Sequence, residues 1–553
     1  MPLTGSLYVG TSGLQTSQNA LNTTAHNITN ADTKGYVRQQ TMLGDKDYNT
    51  IAVNPKMISS KQLGLGVTYQ QIRQVRDVFL DQTYREENAR LSFYSTEYDA
   101  VCEVENLLGE LDGVSFCDSL KNLWEAIEEL SKEPEGVVTQ GLLMQRANAF
   151  MTDAQTVYQG LCNYQDNLNT DIYNTVDTIN EYGHKIWDLN EQIRKIETGG
   201  IEKANDLKDQ RNQLLDELSS FAKIDYRTDP MGNVLVKIEG HSFVEAERVS
   251  EIGVQADETT GFYDVFWKED APVALDSNGI VIYDTQNCKV FDETQRIDAL
   301  IDSDLGKLKA MVITRGDHRA NFTDLENIYD ADGNLIQSEE EGYDKIKNSV
   351  IMSAQAEFDR LIHATVTLIN GVLEEAFRNG DGTYMSDGNG NPWQIFCRQV
   401  SDVDVKEDYS KPETLFSVAN LIINQELMQT PKKLNFVKAD GQVDYETVSK
   451  LKEAFNKAAF RLNPTSQTEL NLQDFYAGMV ADVANTGAVL KSVRDTQQIT
   501  VDSTESARQQ IIGVSTDEEL SNMIRYQNAY NASSRYINVI SQMLEHLINT
   551  LGT

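Results

Sequence analysis

The stretch Thr516–Leu551, TDEELSNMIRYQNAYNASSRYINVISQMLEHLINTL, decides how this chain is read. Met523, Tyr530, Ile537, Leu544 and Leu551 recur every seven residues, and Tyr526, Ser533, Ile540 and Leu547 interleave with them at spacings of three or four. That period belongs to an α-helix with a single seam, its residues standing as a and d positions of a coiled coil. The faces away from the seam are mostly Asn and Gln. From 520 to 551 the only charges are Arg525, Arg535 and Glu545. A solvated helix face normally carries Lys and Glu, so the depletion predicts burial against neighbours. Thr516 and Glu519 have the spacing of a capping box and predict where the helix starts.

The other end of the chain has the same character. Residues 1–30 contain no Asp, Glu, Lys or Arg, and Leu7, Leu14, Leu21 and Ile28 fall seven apart, with Leu3 and Ala25 beside them. Asn, Thr, Ser, Gln and Gly fill the rest. They offer hydrogen-bonding groups without a charge to desolvate. The two ends are expected to pair as helices, with Leu7, Leu14, Leu21, Ile28, Met523, Tyr526, Tyr530, Ile537, Ile540, Leu544, Leu547 and Leu551 as the assembly interface. Isolated helices are marginal in water, so both ends are expected to order only when neighbouring subunits add contact area.

Between the ends the period stays helical over 104–130 and 137–221. Ile172, Ile179, Ile186 and Ile193 form one row, with Leu168, Tyr182, Leu189 and Ile196 as its companion. Gly199 and Gly200 break the run, and Leu207, Leu214, Leu218 and Phe221 continue it, which predicts a long αα-hairpin. From 222 the period shortens: YRTDPMGNVLVKI, GFYDVFWK and GIVIYD read as strands separated by turns. Helix returns over 343–378 and 466–510. The fold class expected is mainly α with β-rich insertions, nested so that the chain runs out and back. Its parts are a terminal helical assembly domain (1–50 with 510–553) and a long helical core (51–221, 341–378 and 441–509). A β-rich insertion at 222–306 and a second, mixed insertion at 380–440 complete it.

Composition narrows the function. A chain of 553 residues exceeds a single hydrophobic core. Its net charge of -37 repels nucleic acid and anionic membrane, so neither is expected as a partner. No apolar run is long enough to span a bilayer, and the N-terminus lacks the basic and apolar regions of a cleaved signal peptide. Cys102, Cys117, Cys162, Cys288 and Cys397 form no CxxC pair.

The six histidines, His26, His184, His241, His318, His363 and His546, show no metal-ligand spacing. No Walker loop, nucleophile elbow or kinase motif occurs. The expectation is therefore no catalytic residue, no cofactor, no metal and no enzyme. Two stretches imitate calcium loops: Asp330, Asp332, Asn334 and Glu341, and the run Asn379, Asp381, Thr383, Asp387, Asn389 and Asn391. The first has Leu335 where the turn needs glycine, and Asx-Gly clusters are usually plain turns. Arg315-Gly316-Asp317 spells an adhesion tripeptide of the kind that arises by chance.

Residues 25–36, AHNITNADTKGY, followed by Arg38 and Gln39, resemble the motif that opens bacterial flagellar rod, hook and hook-associated proteins. Asn27, Ile28, Asn30, Thr33, Gly35 and Tyr36 match it. His26, Thr29 and Lys34 depart from it mildly. Residues 513–548 and the stretch DLKDQRNQLLDELS at 206–219 resemble the hook-associated members of that axial family. The resemblance implies a subunit of the hook–filament junction, extracellular, built by helical self-assembly, and exported without a cleaved signal peptide through the flagellar type III apparatus. It implies as partners other copies of itself, the hook protein, a second junction protein (hook-associated protein 3) and a cytoplasmic export chaperone. Two other readings stay open: a hook or rod subunit of the same family, and a filament-associated enzyme carried in the insertions.

Overall fold

The computed structural model describes residues 3–54, 59–109, 116–200, 202–275, 281–285, 287–292, 295–329, 334–380, 384–387, 390–399, 406–409, 411–438 and 440–551. The chain opens with α1 (Leu3–Thr29), then β1 (Gln39–Asp45), β2 (Asn49–Asn54), β3 (Ser59–Leu63) and β4 (Val67–Gln74). Helices α2 (Val78–Leu108), α3 (Phe116–Lys132), α4 (Val137–Glu197) and α5 (Asn205–Phe221) follow. A strand-rich stretch holds β5 (Ile224–Thr228), β6 (Val234–Ile238), β7 (His241–Val244), β8 (Ile252–Ala256), β9 (Tyr263–Trp267), β10 (Val273–Leu275) and β11 (Val281–Tyr283). Then come α6 (Lys307–Arg315), β12 (Ile328–Tyr329), β13 (Leu335–Gln337), α7 (Glu339–Ile346) and α8 (Val350–Asn379). The last elements are β14 (Phe396–Arg398), β15 (Leu421–Ile423), α9 (Gln425–Gln429), α10 (Tyr445–Asn456), α11 (Leu472–Ile512) and α12 (Thr516–Leu551). Helix dominates, and the strands form small antiparallel sheets. The fold class is mainly α with β insertions.

The chain divides into two compact units, one of Met1–Arg90, Thr178–Glu251 and Gln497–Thr553, the other of Leu91–Asp177 and Ile252–Thr496. This partition runs differently from the four parts expected from sequence. The stretch 222–306, read as one insertion, changes unit between Glu251 and Ile252. Period-two patterning locates strands but does not say which of them share a core.

In the first unit, α1 lies on the hairpin β1–β4, whose register runs from Gln39↔Gln74 to Asp45↔Val67. The strands between residues 39 and 74 went unread in the sequence, where this stretch was assigned to the helical parts. β1 is only part-apolar and β4 mixes Val67, Tyr69 and Ile72 with three Gln, so the hydrophobic alternation is faint. The second half of α4 and α5 run antiparallel: Tyr182 donates to Glu217 at 3.1 Å, Arg211 to Asn190 at 2.7 Å and Lys208 to Glu197 at 2.6 Å. Ile179, Ile186 and Ile193 are buried, as are Leu215 and Leu218. Sheet β5–β6–β7 closes over this pair. Gly183 permits the approach, since a Cβ there would sit 2.5 Å from Phe243 Cζ.

The second unit is a helical assembly around an aromatic cluster. Phe116 of α3 meets Phe150 of α4 (5.3 Å between ring centroids), Phe358 of α8 (4.9 Å) and Tyr476 of α11 (5.2 Å). Asp359, fully buried on α8, accepts the backbone N–H of Phe322 and of Val418 and so pins two loops to one helix. Arg315 of the tripeptide is buried and donates to Asn169 Oδ1 and the Tyr263 carbonyl, which makes it a packing residue rather than a presented one. Asp330, Asp332, Asp381, Thr383 and Asn389 of the calcium-like stretches lie outside the described residues. Glu341 closes a capping box with Ser338 at the start of α7, which occupies its carboxylate. Among the described residues no group of three or more His, Cys, Asp or Glu could hold a metal ion, and no helix is long and apolar enough to cross a membrane. All five cysteines are free thiols.

Candidate functional site

Helices α1 and α12 pair antiparallel, and α12 is the principal partner of α1. Two glycines set the distance between them. A Cβ on Gly10 would stand 2.7 Å from Ile537 Cγ1 and 3.1 Å from Tyr536 Cδ1, and one on Gly13 would stand 2.8 Å from Ser533 Oγ. No ordinary side chain fits there without pushing the helices apart. Ser6, Ser17, Ala20, Thr24 and Asn27 are buried on the same side of α1. Together these positions, 6, 10, 13, 17, 20, 24 and 27, alternate at spacings of four and three. The N-terminal half of the seam is therefore built from small residues, a heptad pattern that sequence reading missed because it followed the leucines.

Leu7, Leu14, Leu21 and Ile28 are half-buried, turned to the flank of that seam by the 100° step of the helix. On α12, Met523, Tyr526, Tyr530, Ile537 and Leu544 are half-buried and Ile540 is 6% exposed, so these lie on the side facing α1. Leu547 is 43% exposed. It belongs instead to a second row with Tyr536, Val539 and Met543, all exposed and sharing one face at spacings of three and four. The Leu551 side chain lies outside the described residues. The signal for the second row was present in the sequence at the same spacing as the first.

Polar groups fasten α1 to the strands that follow it. Ser12 Oγ accepts from the Val67 N–H at 3.3 Å, and Thr41 donates to Thr23 at 3.1 Å. Asn27 bonds Gln39 in both directions, Nδ2 to its carbonyl at 2.9 Å and Oδ1 from its N–H at 3.0 Å, and also accepts the Tyr36 hydroxyl at 2.8 Å. Asn30 Nδ2 donates to the last-turn carbonyl of His26 at 3.0 Å, and Thr33 donates to Asn30 Oδ1 at 3.3 Å. Gly35 has φ +81°, a left-handed conformation that favours glycine. Asn27, Asn30, Thr33, Gly35 and Tyr36 thus end the helix and fold the chain back onto its own first strand. Burial, with Asp206, Asp209 and Glu519 nearby, pushes the Tyr36 hydroxyl well above its ordinary range, so it remains a donor.

Arg38 then fastens the two chain ends. Its N–H donates to the Ile512 carbonyl at 2.9 Å, and its guanidinium reaches Glu519 at 3.0 Å and Glu518 at 3.1 Å. The start of α12 differs from the expected capping box for this reason. Ser515 supplies the cap, its hydroxyl accepting from the Glu518 N–H at 3.4 Å, while the Glu519 carboxylate is turned to Arg38. The site presents apolar rows and uncharged polar faces on two closely spaced helices, an arrangement suited to docking further helices.

Comparison with known proteins agrees from end to end. The flagellar basal body rod family model matches residues 7–36, the flagellar hook-associated protein FlgK helical domain matches 101–281, and the FlgEFG C-terminal family of basal body rod proteins matches 509–550. Flagellar hook-associated protein 1 of Bacillus subtilis (strain 168) is 25% identical over 98% of this chain and 96% of its own length. The Salmonella typhimurium protein of the same name is 24% identical over 97% and 98%. The solved flagellar hook junction protein FlgK from Burkholderia pseudomallei shares the fold at TM-score 0.53, with 12% identity over 78% of this chain and 100% of that one. With the helix-ending turn, the paired terminal helices and the long helical middle all matched in order, the chain is similar along nearly its whole length to flagellar hook-associated protein 1.

Proposed function

We infer that the chain is a structural component of the bacterial flagellum and forms the junction between hook and filament. The observation that carries this is the pairing of two charge-poor terminal helices through Gly10 and Gly13, with an apolar row left exposed on α12 and a half-buried row of leucines on α1. One copy cannot cover those rows. A heterologous contact between copies, repeated around an axis, buries them and generates a helical stack. The match over 101–281 favours a hook-associated subunit over a hook or rod subunit, because the terminal matches alone belong to the wider axial family. The role proposed is assembly without catalysis. The partners proposed are other copies of the chain, the hook protein, hook-associated protein 3 and an export chaperone. The location proposed is extracellular, reached without a cleaved signal peptide.

Ile537→Asp tests the assignment. Ile537 lies against Gly10, and a carboxylate there would be desolvated without a partner, at a cost of several kcal/mol. Cells carrying the variant are expected to bear bare hooks and shed flagellin into the medium, while the purified variant keeps its middle helices by circular dichroism. Normal filaments on such cells would refute the reading.

A further inference from the structure

A thioether is oxidised where a peroxide can reach its sulfur, so exposure ranks methionines by reactivity. Among the described residues Met144, Met151, Met311, Met352, Met385 and Met479 are buried, and Met42, Met428 and Met523 are half-buried. Two stand out in the first unit, Met231 at 71% exposed and Met543 at 51%. Their surroundings differ. Met231 sits in the tight turn between β5 and β6, where Asp229 accepts the N–H of Met231 and of Asn233 at 2.8 Å. Met543 lies in the middle of the exposed α12 row, with Val539 one turn and Tyr536 two turns before it and Leu547 one turn after.

That row is the surface other copies cover in the proposed junction, and the inference rests on that reading. A thioether enters such a contact readily, being apolar, unbranched and polarizable. Its sulfoxide does not. The added oxygen is an acceptor that must give up water when a second copy covers it, and Val539 and Leu547 offer it no donor in return. We propose that Met543 is a modification site, oxidised by hydrogen peroxide, and that its sulfoxide blocks docking of the outer row of α12. The sulfur lone pair attacks one peroxide oxygen and the S–O bond forms. The O–O bond breaks with its electron pair on the departing hydroxide, which takes the proton of the transferred oxygen and leaves as water. Sulfur is oxidised by two electrons and the peroxide is reduced. The free subunit is the vulnerable form, because assembly covers the sulfur.

Mass spectrometry of the full chain after a short exposure to hydrogen peroxide reads the site. Met543 and Met231 are expected to gain oxygen about tenfold faster than Met144, Met311 and Met479. A rate at Met543 no higher than at those buried residues would overturn the proposal. Met543→Gln imitates the polarity of the sulfoxide at an exposed helical position, where glutamine is a good helix former. Cells carrying it are expected to bear about tenfold more bare hooks than cells with the natural chain, while Met231→Gln and Met543→Leu cells build normal filaments. Normal filaments on the Met543→Gln cells, or bare hooks on the Met543→Leu cells, would count against it. In sublethal peroxide, cells with the natural chain should assemble new flagella about threefold less often than Met543→Leu cells. Equal numbers would show that the oxidation does not matter. Ile537→Asp keeps the two readings apart. If Ile537→Asp blocks filaments and Met543→Gln does not, the modification site fails and the junction stands. If neither blocks them, the junction reading itself fails.

Discussion

Gly10 shows how one residue sets an interface. Its missing Cβ lets α1 and α12 approach closely enough for Ile537 to fill the space. Gly10→Leu is expected to destabilise the pair by about 1–3 kcal/mol through overpacking, despite leucine's better helix propensity. Loss of helical signal from the ends, with the middle intact, checks it. Asp209 offers a second test at this scale. It accepts from the Val37 N–H at 3.3 Å and from Gln74 at 2.6 Å, and burial raises its carboxyl from 3.8 to about 7 against those bonds and the pull of Arg76. A group that holds its proton more tightly when folded contributes stability below pH 4, and that contribution is lost as the pH climbs to 7. Asp209→Asn is expected to flatten the fall, gaining on the order of 1–4 kcal/mol over the natural chain at pH 8 relative to pH 4. Parallel stability–pH curves for the two proteins would exclude this role. At this scale the sequence disclosed the motif but not its work. Asn27, Thr33 and Tyr36 were legible as a set, yet nothing in their spacing says that Asn27 bonds Gln39 on both sides.

Elements were read well where one periodicity dominated. The α12 seam and the buried row Ile172, Ile179, Ile186 and Ile193 stand out because large apolar residues repeat over many turns. The α1 seam escaped because Ser, Gly, Ala and Thr carry no hydrophobic signal, although they keep the same alternation. The hairpin β1–β4 escaped because Gln recurs among its apolar residues and breaks the alternation, the pair being held by α1 and by backbone bonding. The composition of the α1 seam has an energetic consequence. Small side chains bring two backbones together but bury little apolar area, at about 25 cal/mol per Å². The α1–α12 pair is therefore expected to be the weakest part of the free subunit. Limited proteolysis should trim residues 1 to about 50 and about 510 to 553 first and leave a resistant middle. Equal protection of ends and middle would show that the pair is stable without neighbours.

Over the whole molecule, charge is concentrated away from the two ends. The chain carries -37, yet residues 1–30 hold no charged side chain and 520–551 hold three. Charge repulsion therefore arises mainly from the middle, while the ends contribute little of it. Repulsion fades over a Debye length of about 8–10 Å, so the acidic middle protects distant apolar rows poorly. The exposed row Tyr536, Val539, Met543 and Leu547, beside a seam that opens whenever α1 leaves, is an aggregation liability until neighbours cover it. A helix-in-groove partner recognises such a row at i, i+3, i+4 and i+7. The proposed export chaperone is accordingly expected to hold α12, covering before assembly the surface that other copies cover after it. The competing account is that net charge alone keeps the chain soluble and that the chaperone grips elsewhere. A pull-down with residues 1–510 separates them. If α12 is the handle, the truncated chain should lose at least tenfold in capture, and a peptide of 516–551 should compete with the full chain. Equal capture of the truncated and full chains would place the handle outside α12.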